Sequence, residues 1–343
     1  MVMWQVTGQS RAVDFLKSGL EKGRLSHAYL FVGPKHVGKM TLAVNLAQAL
    51  NCEVTGGDSP WRAEERPCSQ CNSCSRIIAG KHADVQIIGL DKSDADSGTA
   101  KEIGIEAIRD MERSAFLKPF EGKHRVYIID GADRLTVEAA NCLLKTLEEP
   151  PPCVTMILLA VDEGQILPTV LSRCQHIELH PVPLEMVKNV LVKRGVAEEK
   201  AEALARLSKG CVGWALQASS NEEVLAQRTE NIAELVRLCA EGRSQRFKYA
   251  AHLANIYAKD KEAVQNIIEF WLSWWRDLLL TKVGAARLTV NIDQIQELER
   301  QAEGLGLGEI TEFIHCIQYA RRQLHQNANP RLVLEVLMLD VPS

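Results

Sequence analysis

Gly33-Pro34-Lys35-His36-Val37-Gly38-Lys39-Met40-Thr41 decides the fold of this chain. The apolar run Ala28-Tyr29-Leu30-Phe31-Val32 precedes it, and Leu42, Leu46 and Leu50 follow at helical spacing. Strand, glycine loop, lysine and helix form a phosphate-binding layout. The loop N–H groups and the helix N-terminus favour an anion, and a lysine at this point reaches the outer phosphates. Gly33, Gly38, Lys39 and Thr41 are the candidate contacts. One position departs from the pattern. Met40 stands where a Ser or Thr hydroxyl binds magnesium, and a thioether is a poor ligand for that hard ion.

Working outward, the spacing predicts a helix over 8–20 and strands over 85–88, 126–129, 155–160 and 175–179. Between them lie an irregular stretch over 53–66, a polar loop over 91–100 and a helix carrying Ile105, Ile108 and Met111. A further helix over 136–149 has Val137, Ala140, Leu144 and Leu147 on one side and stops at Pro150-Pro151-Pro152. Continuous apolar strands alternating with helices imply a parallel sheet covered on both faces. After His180-Pro181-Val182-Pro183 the strand signal disappears, and three short helices are followed by long amphipathic ones to the end.

The 343 residues carry 40 basic and 44 acidic side chains, a formal charge of −4. That balance argues against a protein that grips nucleic acid by charge alone. No apolar run approaches membrane-spanning length, and Met1–Gln5 has no secretory core, so a cytoplasmic chain without membrane contact is expected. Of the ten cysteines, Cys142, Cys239 and Cys316 are isolated in apolar stretches and read as buried thiols.

Three constellations carry chemistry. Asp130 ends a strand, where nucleotide-binding sheets hold magnesium through water; Gly131 follows, where ATPases place a Glu to polarise the attacking water. Cys68, Cys71 and Cys74 stand at three-residue spacing, and Cys52 at the end of the phosphate-loop helix can close an S4 site. A structural zinc ion is favoured over an iron–sulfur cluster, because the Cys-Pro of ferredoxin-type runs is absent, and over free thiols. The run Phe270-Trp271-Leu272-Ser273-Trp274-Trp275-Arg276 suits a helix core or subunit contact better than a base-stacking platform.

Leu171-Ser172-Arg173-Cys174, Asp130-Gly131-Ala132-Asp133 and the run Leu143-Leu144-Lys145-Thr146-Leu147-Glu148-Glu149-Pro150-Pro151 together resemble the clamp-loader subunits of the AAA+ superfamily. The likeness extends from Gly8-Gln9 to Asn329-Pro330-Arg331-Leu332-Val333-Leu334-Glu335. It implies an α/β class fold: an AAA+ RecA-like parallel sheet core over 1–180 with an inserted four-cysteine zinc module near 52–76. A small helical lid over 181–221 and an all-α C-terminal collar over 222–343 follow. By the same resemblance Arg173 is an arginine finger acting in trans on the γ-phosphate of a neighbour's ATP; the alternative is a surface Arg paired to a local carboxylate. Arg109 and Arg113 match a stretch that faces DNA, although a solvated, ion-paired face is the plainer reading of the two.

The family's hydrolysing subunits carry an Arg in Gly-x-x-Arg-x-Ala-Leu, where this chain has Gly213, and a Thr or Asn after the fourth strand, where it has Ala160 and Val161. With Met40 and Gly131, that makes four replaced positions in separate motifs. The resemblance therefore implies a non-motor stator of the bacterial clamp loader. Its partners would be gamma/tau motor subunits, a delta subunit, the sliding clamp and primer-template DNA. ATP and magnesium binding stays open, with hydrolysis not expected. The alternatives are an active gamma/tau-type ATPase and a stand-alone nucleic-acid binding module.

Overall fold

A computed structural model of the chain describes residues 4–54, 66–90, 102–326 and 328–342. The polar loop expected over 91–100 and nearly all of the irregular stretch over 53–66 lie outside the described residues. By its internal contacts the chain divides into two compact units. The first comprises Met1–Val190 and Gly210–Trp214, the second Leu191–Lys209 and Ala215–Ser343.

The first unit is built on five parallel strands: β1 (Ala28–Val32), β2 (Val85–Ile88), β3 (Arg125–Asp130), β4 (Val154–Ala160) and β5 (Gln175–Glu178). Their order is β2-β3-β4-β1-β5. Helices α1 (Ser10–Glu21), α2 (Lys39–Asn51), α3 (Asn72–Ile78), α4 (Ile105–Ala115), α5 (Val137–Glu148) and α6 (Pro168–Leu171) connect them. Covering on both faces explains why the central strands β1, β3 and β4 are apolar along their buried positions. Tyr29 and Phe31 of β1 join Val126, Ile128, Ile157 and Leu159 in one core beneath α1 and α2. Ala28, Leu30 and Val32 join Tyr127, Ile129, Met156 and Leu158 in another beneath α4 and α5.

The face expected for α5 is corrected. Ala139, Ala140, Leu143, Thr146 and Leu147 are the buried positions, whereas Val137 is 60% exposed and Leu144 only half-buried. Thr136 caps the helix, its side chain accepting the Ala139 N–H, and the buried stripe runs through 139, 140, 143, 146 and 147. Val137 and Leu144, seven residues apart, share the side turned away from it.

Helices α7 (Leu184–Lys193), α8 (Glu198–Leu207) and α9 (Val212–Ser220) follow the sheet. The second unit continues with α10 (Glu222–Ala240), α11 (Arg243–Lys259), α12 (Lys261–Lys282), α13 (Ile295–Gly304), α14 (Leu307–His325) and α15 (Pro330–Leu339). Trp271, Trp274 and Trp275 of α12 are all buried in its core, and the Trp275 ring meets Phe313 edge-on at 4.6 Å. These rings are packing groups, and none offers a free face to a base. Arg246, also buried, donates to the carbonyls of Leu238, Cys239, Val341 and Pro342, tying the ends of α10 and α15 together.

Candidate functional site

Parallel pairing puts the functional loops at one end of the sheet. Val32 pairs with Ala160, and Asp130 pairs with Leu159, so the phosphate loop after β1 and Asp130 of β3 flank the end of β4. Crevices of this kind, at the carboxyl ends of strands, are where open α/β sheets bind ligands. Gly33 is required by space: a Cβ there would lie 2.3 Å from the Leu179 carbonyl oxygen. Gly38 caps α2 with φ 113°, in the region that favours glycine.

The loop's lysine is bonded within its own chain. Lys39 Nζ donates to the carbonyls of Gly33 at 2.5 Å and Pro34 at 2.8 Å, and the residue is only 9% exposed. Burial pulls its pKa down to about 8, against the opposing pull of Asp133 and Asp130. Thr41 is exposed, while Met40 packs on the core beneath α1 and α2, so its thioether serves the interior. Asp133 Oδ2 accepts the Val161 N–H at 3.0 Å, which fixes the turn after β4. Gly213 lies directly on the loop: its N–H donates to the His36 carbonyl at 2.9 Å, and a Cβ would approach that oxygen to 2.8 Å. The motif comparison had shown only that an Arg was missing there. The structure adds that any side chain at 213 meets the loop backbone.

Arg173 sits at the other end of the sheet. It lies two residues before β5, whose first residue, Gln175, pairs with Tyr29. Gly33 is four residues further along β1, about 13 Å at the rise of a parallel strand. A guanidinium at this edge faces away from its own phosphate loop. Nη2 donates to Glu148 Oε1 at 2.6 Å, and Nη1 donates to the Thr169 carbonyl at 2.9 Å and to Ser172 Oγ at 3.2 Å. Cys174 beside it has its thiol pushed up to about 12 by burial, which removes it as a nucleophile.

Cys52, Cys68, Cys71 and Cys74 come together with all four Sγ atoms within 4.8 Å of one another. A tetrahedron of zinc–thiolate bonds has S···S edges of about 3.8 Å, and Cys68 and Cys74 stand 3.9 Å apart. The surroundings suit thiolates. The Cys71 N–H points at Cys68 Sγ (3.3 Å) and the Cys74 N–H at Cys71 Sγ (3.4 Å), and Cys52 and Cys74 are fully buried. Gln48 Nε2 donates to the Cys74 carbonyl at 3.1 Å, and Glu53 accepts the Ser73 N–H at 3.0 Å, so α3 is fastened to α2. The cluster can hold a structural metal ion with no open coordination position.

Arg109 and Arg113 are exposed on α4, each paired with the acid three residues before it: Glu106 at 2.8 Å and Asp110 at 3.0 Å. Cys142 is half-buried and donates to Glu112; Cys239 and Cys316 pack at the edge of the helical core. Sequence reasoning passed over Gln9, whose amide bonds the His180 backbone through both its oxygen and its nitrogen. It quoted Glu148 only as part of a motif.

A parallel sheet with a glycine loop after one strand and an acid after another defines a nucleotide-binding α/β core of the AAA+ type. The family described as DNA polymerase III, delta subunit, matches residues 8–183, and DNA polymerase III, delta subunit, C terminal, matches residues 222–342. The chain belongs to this DNA polymerase III family of clamp-loader subunits, which work in DNA replication.

It is 28% identical over 331 residues to subunit delta' of Bacillus subtilis, covering 96% of this chain and 95% of that one. Subunit tau of Salmonella typhimurium is 28% identical over 356 residues, 97% of this chain and 52% of its own length. Subunit tau of Escherichia coli is 36% identical over 62% of this chain and 31% of its own length. A gamma subunit-related protein of Thermotoga maritima aligns with TM-score 0.44 and 18% identity, covering 95% of this chain and 97% of that one. Among the described residues no helix is long and apolar enough to cross a membrane.

Proposed function

We propose that this chain is the delta'-type stator of a bacterial clamp loader, a non-motor subunit that lends Arg173 to the ATP site of a neighbouring gamma/tau subunit. The observation that carries this reading is the separation of the two cations. Arg173 stands at the sheet edge opposite its own phosphate loop, so a phosphate it serves belongs to another chain. The loop itself has Met40, Gly131, Val161 and Gly213 at the four positions a hydrolytic site depends on.

In this reading the core, lid and collar keep the bounds 1–180, 181–221 and 222–343. The collar joins the gamma/tau and delta subunits, and the assembly places the sliding clamp on primer-template DNA. Zinc is the ion held by Cys52, Cys68, Cys71 and Cys74; it stiffens the α2–α3 corner and performs no chemistry. The phosphate loop is inherited scaffold. Arg109 and Arg113 exchange their acidic partners for DNA phosphates inside the assembly.

The tau relatives favour a second reading, a motor of the gamma/tau type. Steady-state ATPase of the isolated chain separates the two. The stator gives no magnesium-dependent turnover above background, and robust turnover sinks it. A stand-alone nucleic-acid module loses its aromatic platform, since Trp271, Trp274 and Trp275 are buried.

A further inference from the structure

The run 143–151 that helped place the chain contains one residue whose side chain the proposed function leaves unused, Glu148. A carboxylate in the last turn of a helix faces the negative end of the helix dipole and is mildly unfavourable there. Glu148 is the last residue of α5. Its place is nevertheless rigid. Leu147 is buried, its carbonyl bonds His27 Nε2 at 3.0 Å, and the buried Thr146 donates to Glu112 at 3.1 Å. The Arg173 side is equally fixed: α6 begins on Pro168, and Val170 beneath it is fully buried.

We infer that Glu148 is the positioning residue of the Arg173 finger, holding the guanidinium outward by accepting from Nη2. The inference rests on the reading of Arg173 as a finger in trans. The bonds to the Thr169 carbonyl and Ser172 Oγ fix only Nη1, close to the residue's own backbone. Without a second anchor the group can swing about its long side chain. With Glu148 in place, Nη1 and Nη2 are both held and Nε–H has no acceptor among the described residues. A guanidinium keeps five donors in a fixed fork, so a phosphate oxygen can be met by Nε–H and the remaining Nη2 hydrogen while the anchors stay in place. The pair is half-exposed, with side chains 35% and 52% accessible, so it orients the finger cheaply and does not neutralise it.

The test is a reconstituted loader in which the motor site beside this chain is the only one that retains its phosphate-loop lysine. Single-turnover ATP hydrolysis is measured with primed DNA and clamp. E148A lowers the hydrolysis rate by about two- to fivefold with ATP affinity unchanged. E148Q, whose amide oxygen can still accept from Nη2, retains more than half of the parent rate. A merely structural role would move assembly and melting temperature, and would not distinguish kcat from KM. R173A is run in parallel. If R173A leaves the rate unchanged, the finger reading itself is wrong. If R173A abolishes the rate while E148A matches or exceeds the parent, or E148Q is no better than E148A, the finger stands and the positioning role of Glu148 is rejected.

Discussion

Lys39 and Arg173 are two cations of one α/β unit, each placed by a motif concerned with phosphate, and the structure treats them in opposite ways. Lys39 is turned inward, 9% exposed, with its ammonium bonded to two carbonyls of its own loop. Arg173 is turned outward at the far edge of the sheet and held by one carboxylate and two neighbouring oxygens. Burial lowers the pKa of Lys39, whereas the Arg173 side chain stays half-exposed. The difference is what the proposed stator role requires: the fold keeps its phosphate-binding architecture while the charge that serves a phosphate sits at its rim and no longer in its own cleft. A parallel sheet makes that division natural, because strand ends and strand starts lie on opposite edges.

The contrast breaks most sharply at Arg173. Removing it from an assembled loader should slow hydrolysis at the adjacent motor site by about 10²–10³, somewhat below the range for dissected fingers because the motor's own groups remain. Single-turnover hydrolysis reads this, and size-exclusion chromatography should show the assembly intact. The matching change at Lys39, K39A, should leave the same rate unaltered. Equal losses from both substitutions would erase the distinction.

Next in size is the cysteine cluster, which keeps the end of the phosphate-loop helix in place. One zinc per chain is expected by elemental analysis, and C71S should release it. Losing that cross-link between α2 and α3 should lower the melting temperature by about 5–10 °C, at roughly 2–4 °C per kcal/mol for a unit of this size. A chain that holds no metal and melts unchanged as C71S would make the four thiols simple packing.

Much of this was legible before any coordinates, and what escaped has a physical pattern. The three central strands β1, β3 and β4 declared themselves because they are buried on both faces and therefore apolar at nearly every position, whereas the edge strands β2 and β5 are largely exposed and carry a weaker signal. The cysteine spacing announced a metal site, yet only the fold brings Cys52 to the other three, since the residues between Cys52 and Cys68 give no distance. The face of α5 was misread because Val137 and Leu144 look like core residues, whereas the buried side is marked by small alanines, Ala139 and Ala140, that carry little hydrophobic signal. Gly213 could be recognised as a missing arginine but not as a close contact, because a hydrogen bond from its N–H to His36 leaves no trace in residue type. Glu148 was hidden for a related reason: its partner lies 25 positions away, beyond β4 and α6.

Gly213 offers a smaller, structural test of how tightly the lid segment packs on the phosphate loop. Its absent Cβ would come within 2.8 Å of a backbone oxygen, which cannot rotate away as a side chain does. G213A should therefore cost about 1–3 kcal/mol in denaturant unfolding. G213R combined with M40T should fail to create turnover in the isolated chain, because Gly131 still supplies no base. Turnover in that double variant would mean that the loop is a motor missing only two parts.

The smallest effect is a titration of Lys39 itself. Its pKa in the folded chain is about 8, against 10.5 for an ordinary lysine. Between those values the folded chain binds fewer protons than the unfolded one, so this group's contribution to stability rises with pH. The penalty for burying the ammonium is present in full below about pH 8 and fades by about pH 10.5. K39M removes the titration, so parent and variant should differ in the pH slope of stability only within that window. The difference between them should change by about 1–2 kcal/mol across it, in favour of the parent at the alkaline end. A phosphate anion in the loop would hold the ammonium charged and flatten the slope of the parent. The same unfolding series repeated with added ATP therefore asks whether this inward cation still meets a phosphate; parallel slopes with and without ATP are the outcome a closed loop requires.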